Sequence, residues 1–178
     1  MCIRDSSAGA WLSARVALDV EVQEEHGFDG SELAGVISIS GSGFEMTDEQ
    51  TWEMFPRERR WARRFAVEEP GVDWKVAASV IPLLETADVD NAPPFLLLYS
   101  THEWKALARQ NRLLWDALNS EGIHVTLIGV DSGGHRRNVL ALSHEERELP
   151  RYVLSFVQEG PDFQAPGRTE PSLGEQRH

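Results

Sequence analysis

The chain has 178 residues, a hydrophobic content of 41% and six tryptophans, which suffices for one domain with a modest core. Acidic residues outnumber basic ones by 29 to 17, and the net charge of −12 argues against nucleic acid and anionic membranes as partners. No apolar run approaches the roughly 20 residues of a membrane helix, and the single cysteine, Cys2, excludes an internal disulfide.

The first six residues, MCIRDS, resemble a translated sequencing-adapter remnant. We therefore expect the natural sequence to begin at Ser7, with no strand before it and with residues 1–6 outside the fold. A truncation at this point would also remove any signal peptide. The localisation is therefore unknown, with the cytoplasm slightly favoured because the sequence itself contains no signal peptide.

Residues 8–25 are predicted to form a helix. Leu12, Val16 and Val20 recur at helical spacing, with small alanines between them. Gly27 follows and is suited to a left-handed cap that ends the helix.

A short apolar run at 33–40 follows, without strict alternation of polar residues. This pattern is typical of a strand covered on both faces, as in parallel sheets. Residues 44–90 show no strand pattern, and the spacing from 47 to 50 is that of a capping box. We interpret 44–90 as short helices of an insertion or lid.

The second half alternates strands with helices. Residues 95–99 and 125–128 are predicted strands, and 104–120 is a predicted helix between them. Three leucines lie on one side of that helix: Leu107, Leu114 and Leu118. A capping-box spacing at 143–146 predicts the start of a last helix, and the breaker-rich segment 160–178 predicts a disordered tail. Strands separated by helices imply right-handed crossovers and a parallel sheet, so the predicted fold class is α/β.

Three chemically active side chains fall where a parallel sheet gathers its ligands, at the carboxyl ends of the strands. Ser7 lies directly before the first helix, Glu103 follows the second predicted strand and His135 follows the third. A histidine within reach of a serine can take its hydroxyl proton, and an acid can hold the histidine in the required tautomer. The chain order serine, acid, histidine is that of a known catalytic triad.

The neighbours of these residues fit the same chemistry. Gly9 removes a side chain that would collide with the adjoining strand, and the N–H of Ala8 at a helix N-terminus would face developing negative charge. Gly133 and Gly134 let the chain turn so that His135 can reach the serine.

The segment 7–12, SAGAWL, resembles the S-A-G-A-x-L turn of small esterases and formamidase-like members of the α/β-hydrolase family. The strand 35–41 followed by a lid, the segment 92–99 and the histidine loop resemble that family too, so the likeness spans about 7–158. It implies the C-terminal part of an α/β-hydrolase domain (residues 7–159) that forms an acyl-enzyme on Ser7. The implied substrate is a small carboxylic ester or amide, with no cofactor.

Two departures from the family pattern leave alternatives open. Asp5 stands where the turn has its leading glycine, and the acid of the family is more often aspartate than glutamate. Glu45, after the first predicted strand, is therefore the second candidate acid. Asp131 is too close in sequence to His135 to be preferred, and Ser6 is the rival nucleophile.

A second class of function also remains: a non-catalytic remnant or interaction module that keeps the sheet. The six histidines show no paired ligand spacing, so no metal site is expected. A complete G-x-S-x-G in the upstream nucleotide sequence would favour the enzyme, whereas a genuine start directly before Ser7 would favour the module. The oligomeric state is not specified.

Overall fold

The computed structural model describes residues 2–54, 71–144 and 147–165. Its centre is one sheet of four parallel strands in the order β1-β2-β3-β4. The strands are β1 (Cys2–Ser6), β2 (Gly35–Ile39), β3 (Phe95–Ser100) and β4 (Val125–Val130). The predicted α/β class and parallel pairing are confirmed.

Helices connect these strands on both faces of the sheet. The α-helices among the described residues are α1 (Ala8–Leu18), α2 (Val20–His26), α3 (Glu49–Met54), α4 (Trp74–Ala78), α5 (Lys105–Ser120), α6 (His135–Ala141) and α7 (Glu148–Glu159). Short 3₁₀ turns occur at Gly30–Glu32, Ile81–Glu85, Val89–Asn91 and Gly160–Asp162. In the described part of the chain, no helix combines the length and apolar character needed to span a bilayer.

The core lies on both faces of the sheet, which explains why the central strands β2 and β3 lack polar alternation. Along β3, Phe95 and Leu97 face α1 and α5, whereas Leu96 and Leu98 face α7. All four side chains are fully buried. Successive residues of a strand point to opposite faces, so a strand covered on both sides must be apolar throughout.

The expectation that no strand precedes Ser7 is wrong. Cys2–Ser6 forms edge strand β1 and pairs in parallel with β2, from Cys2 opposite Gly35 to Ser6 opposite Ile39. Because an edge strand is held mainly by main-chain hydrogen bonds, its formation depends only weakly on side-chain identity. The adapter origin of residues 1–6 therefore stays a prediction.

The predicted helix at 8–25 is two helices that meet at Asp19. The carboxylate of Asp19 accepts a hydrogen bond from the N–H of Val22 and so caps α2, and Gly27 ends α2 in the expected left-handed conformation. The buried face of α1 consists mainly of small residues, with Leu18 as its one large member at the C-terminal end, whereas Leu12 is 53% exposed. Small side chains let α1 approach the sheet closely. The prediction that the larger residues Leu12, Val16 and Val20 form the inner face was therefore wrong for Leu12.

Three further boundaries differ from the predictions. Helix α3 begins one residue later than a Thr47 cap implies, because Asp48 accepts the N–H of Thr51. Helix α7 begins at Glu148 without a side-chain cap, and residues 145–146 of the predicted capping box lie outside the described residues.

The predicted disordered tail begins at residue 160, which is too early, since Phe163 is buried against Phe156. Residues 55–70 of the predicted lid and 166–178 of the tail also lie outside the described residues.

Three consecutive residues of α5 hold the connection that follows β2. Arg109 donates two hydrogen bonds of 2.7 Å to the carboxylate of Asp48. Gln110 bonds both the N–H and the C=O of Glu45, at 2.8 Å each. Asn111 donates to the carbonyl of Gly41 at 2.8 Å. The base of the 44–90 region is therefore fixed to the helix that also packs on the sheet.

The Asp48–Arg109 pair predicts a pH-dependent contribution to stability. The guanidinium of Arg109 lowers the pKa of Asp48 from 3.8 to about 2, and the Asp48 side chain is only 13% exposed. The folded state thus binds this proton less tightly than the unfolded chain, so the pair stabilises the fold above about pH 4 and loses this effect towards pH 2. We expect Asp48→Asn to lower the free energy of unfolding by about 1–2 kcal/mol at pH 7, after allowance for the partly exposed arginine.

Urea unfolding of the chain joined to the upstream residues that its gene encodes, followed by tryptophan fluorescence at pH 7, 4 and 3, measures this contribution. The difference between wild type and Asp48→Asn should shrink as the pH falls. Asp116→Asn, on the exposed side of α5, is the control and should change stability by less than about 0.5 kcal/mol. A difference for Asp48→Asn that stays constant down to pH 3 would contradict the assignment.

Candidate active site

Ser7 lies in a strained turn between β1 and α1. Its φ of 56° and ψ of −121° fall in a region that residues with side chains rarely occupy, and its N–H donates to the carbonyl of Ile39 at 3.0 Å. A strained strand-to-helix turn is how a nucleophilic serine is presented above a sheet edge. The sequence predicted this turn, although it missed the strand that enters it.

Gly9 packs closely against the flexible Asp5 side chain, which a larger residue at position 9 would displace. A Cβ atom on Gly9 would collide with the carboxylate of Asp5, which lies in the strand just before the turn. Ala8 is the first residue of α1, so its N–H belongs to the first-turn donors that have no acceptor within the helix. A negatively charged oxygen near this turn would find that donor and the positive end of α1.

The structure brings Glu103 and His135 together. Oε1 of Glu103 lies 3.5 Å from Nδ1 of His135, and the Glu103 side chain is fully buried while that of His135 is 31% exposed. Because Nδ1 faces the carboxylate, the other ring nitrogen is left for a reacting group. Trp104 stacks on the imidazole, with ring centroids 6.1 Å apart and planes inclined by 16°.

The loop before His135 turns as its glycines predict. Gly133 and Gly134 have φ values of 79° and 103°, which other residues rarely adopt. The N–H of Gly134 donates to Oγ of Ser100 at 2.9 Å, so the end of β3 holds the loop that follows β4. His135 is therefore positioned from two strands at once.

The other candidate residues have other partners. Oε1 of Glu45 accepts hydrogen bonds from the N–H and hydroxyl of Thr47, and Asp131 lies 3.2 Å from His102. Within the described residues, no hydrogen bond joins the Ser7 hydroxyl to His135, although both lie at the carboxyl edge of the sheet. The described residues therefore show the approach of the acid to the histidine but no hydrogen bond between the histidine and the serine.

Sequence reasoning missed three polar residues that surround Glu103: Ser40, Ser132 and Asn138. All three are at least nine-tenths buried. Asn138 donates to Oε1 of Glu103 at 3.0 Å, and the Ser40 hydroxyl donates to the same oxygen. The one signal available was that Asn138 lies three residues after His135, on the same face of a helix.

A small pocket of about 20 Å³, partly open to solvent, lies beside this edge of the sheet. Its lining is mainly apolar and includes Gly43, Met46, Trp52 and Leu107, with Ser42 as a polar member. In residues 2–54, 71–144 and 147–165, no three His, Cys, Asp or Glu side chains gather as metal ligands would.

No protein-family model and no curated protein sequence matches the chain, but solved structures do. The acylaminoacyl peptidase of Pyrococcus horikoshii matches at a TM-score of 0.62 and 14% identity, over 94% of this chain and 25% of its own. Esterase B of Lactobacillus rhamnosis matches at 0.62 and 18%, over 88% of this chain and 50% of its own. Carboxyl esterase 2 of the fungus Tuber melanosporum matches at 0.62 and 16%, over 91% of this chain and 53% of its own.

These similarities define the fold. The three proteins are α/β-hydrolases, and the chain has a partial α/β-hydrolase fold: four parallel strands with their helices. The resemblance inferred from the sequence is confirmed at this level. The chain spans about a quarter to a half of the length of the structures that it matches.

Proposed function

We propose that the chain is the catalytic C-terminal part of a serine hydrolase that cleaves carboxylic esters through a triad of Ser7, Glu103 and His135. The observation that carries this proposal is the buried Glu103 carboxylate 3.5 Å from Nδ1 of His135, at the sheet edge where Ser7 occupies its strained turn. A surface histidine would not ordinarily have a fully buried carboxylate as its neighbour. The esterases among the matching structures support the ester substrate.

The proposed reaction assigns a step to each group. The Ser7 oxygen attacks the ester carbonyl carbon while its proton passes to Nε2 of His135, and the carbonyl oxygen becomes an oxyanion facing the N–H of Ala8. Glu103 stabilises the imidazolium at Nδ1. The imidazolium then protonates the leaving alcohol as the carbon–oxygen bond breaks, and water repeats the sequence to release the acid from Ser7.

The test uses the chain joined to the upstream residues that its gene encodes, here called the extended protein. The extended protein should hydrolyse short aryl esters faster than aryl amides of the same acyl group, because a phenol leaves more readily than an aniline. Amide cleavage at an equal rate would favour the formamidase-like alternative. A folded extended protein without either activity would favour the interaction module.

The 178-residue chain by itself should be poorly soluble or loosely packed, and should not turn over esters. The chain corresponds to only a quarter to a half of each matching structure. The remainder of the fold would therefore come from residues outside this chain. A serine gains rate only when it is held in a fixed geometry relative to the substrate. Titration with a fluorophosphonate, read by mass spectrometry, should give little labelling at Ser7. Stoichiometric labelling in a cooperatively folding monomer would refute this prediction.

A further inference from the structure

The carboxylate of Glu103 is held by two residues that the proposed triad does not include. Its Oε1 accepts hydrogen bonds from the hydroxyl of Ser40 and from the side-chain amide of Asn138, the latter at 3.0 Å. By contrast, neither Oε2 of Glu103 nor Nδ1 of His135 has a hydrogen-bond partner among the described residues. What fixes the acid is therefore Ser40 and Asn138, and not the histidine that it faces.

The orientation of the Asn138 amide follows from its neighbours. Its Nδ2 donates to Ser40 as well as to Glu103, and its Oδ1 accepts the hydroxyl proton of Ser132. An ionised carboxylate can only accept, so the NH₂ group must face Glu103. Asn138 is fully buried, and each of its side-chain polar atoms has a partner.

Helix geometry couples this amide to the histidine. His135 and Asn138 lie three residues apart on α6, so one face of a single turn presents both to the same carboxylate. Ser40 reaches that carboxylate from the end of β2, in a left-handed conformation with φ of 53°. Two separate elements, β2 and α6, thus hydrogen-bond the Glu103 carboxylate and hold it beside the imidazole of His135.

We propose that Asn138, supported by Ser40 and Ser132, is a positioning residue that directs the Glu103 carboxylate at Nδ1 of His135. This inference rests on the proposed function for its kinetic consequence. Two charge-assisted hydrogen bonds restrict a flexible glutamate side chain that would otherwise sample several rotamers. Asn138 acts through Glu103 and has no contact with the reacting atoms.

Kinetics of the extended protein test this proposal by a double-mutant cycle. Asn138→Ala should lower kcat for an aryl ester about 10- to 100-fold with KM changed less than about twofold, since small misplacements of a catalytic group cost this much. In a Glu103→Gln background the same substitution should cost less than about threefold, because there is no carboxylate left to direct. Equal losses in both backgrounds would overturn the proposal.

Asn111→Ala is the matched control. Asn111 is as fully buried as Asn138 and also donates two hydrogen bonds, but to the carbonyls of Gly41 and Leu107 instead of Glu103. Its loss of stability should resemble that of Asn138→Ala, whereas its effect on kcat should be the same with and without the Glu103→Gln substitution. If Asn138→Ala does not fold, Asn138→Ser replaces it in the cycle.

The ¹⁵N chemical shifts of the His135 ring nitrogens test the positioning role of Asn138 without relying on catalysis. At a pH where the ring is neutral, the wild type should populate mainly the Nδ1–H tautomer, because the adjacent carboxylate only accepts. Asn138→Ala and Glu103→Gln should shift this ratio towards Nε2–H, and Asn111→Ala should not. An unchanged ratio in Asn138→Ala would overturn the positioning role, whereas a shifted ratio in a protein without esterase activity would refute only the proposed function.

Discussion

Replacement of Ser7 by alanine should remove nearly all ester hydrolysis from the extended protein. Loss of the nucleophile of a serine triad lowers kcat by about four to six orders of magnitude, leaving only the contributions of binding and oxyanion stabilisation. KM should change little, because Ser7 forms its new bond in the transition state and not in the bound ground state. Steady-state kinetics with short aryl esters, with kcat and KM determined separately, measure the effect.

The neighbouring serine provides a matched control. Ser6 ends β1 and Ser7 follows it, so Ser6→Ala alters the same turn by the same atom. Of these two serines, Ser7 alone has the strained strand-to-helix backbone that presents a nucleophile. Ser6→Ala should therefore retain most of the activity. If Ser7→Ala keeps wild-type turnover, or if Ser6→Ala loses it instead, the nucleophile has been misassigned.

Glu103→Gln should have the second-largest effect. The amide keeps the size of the side chain but removes the charge that faces His135 and presents an NH₂ group to a ring nitrogen that needs an acceptor. We expect kcat to fall by about 10³–10⁴-fold, as for the acid of other serine triads, while KM stays within a few-fold. Thermal unfolding measured alongside separates a loss of catalysis from a loss of fold.

Glu45→Gln is the corresponding control, because Glu45 was the second candidate acid. Its carboxylate accepts hydrogen bonds from Thr47, which glutamine can still accept in part. The substitution should lower kcat by less than about fivefold, well within the effect of a local structural change. A larger loss from Glu45→Gln than from Glu103→Gln would transfer the role of the acid to the loop after β2.

The sheet was predictable because its signals are local. The apolar runs of β2 and β3, and the spacing of Leu107, Leu114 and Leu118 in α5, are local patterns, and all of these residues except the half-buried Tyr99 are buried as expected. The expected turns at Gly133 and Gly134 depend on one residue each. Strand β1 was missed because its pairing with β2 depends on main-chain atoms, about which its side chains say little.

The polar surroundings of Glu103 were not predictable for the opposite reason. Asn138 lies 35 residues from Glu103 in sequence and 98 from Ser40, so no local pattern connects them. Neither Ser40 nor Asn138 belongs to a recognisable sequence motif, and their contacts with Glu103 form only when the fold brings the strand ends together. The break between α1 and α2 at Asp19 was also missed. Capping by the Asp19 carboxylate and continuation of the helix differ little in free energy, and the spacing of apolar residues does not reveal such a small difference.

The three hydrogen-bonding residues of α5, Arg109 to Asn111, affect which substitutions the neighbouring segment can accept without a change in its backbone. They bind main-chain and carboxylate atoms between Gly41 and Asp48, so they set the path of the backbone without constraining most side chains along it. Met46, which lines the adjacent pocket, thus lies on a backbone whose path other residues set, whereas Trp52 helps to set that path by donating a hydrogen bond to the carbonyl of Met46. A substitution at Met46 can therefore reshape the pocket wall while the backbone keeps its course and, under the proposed function, would change which substrates fit.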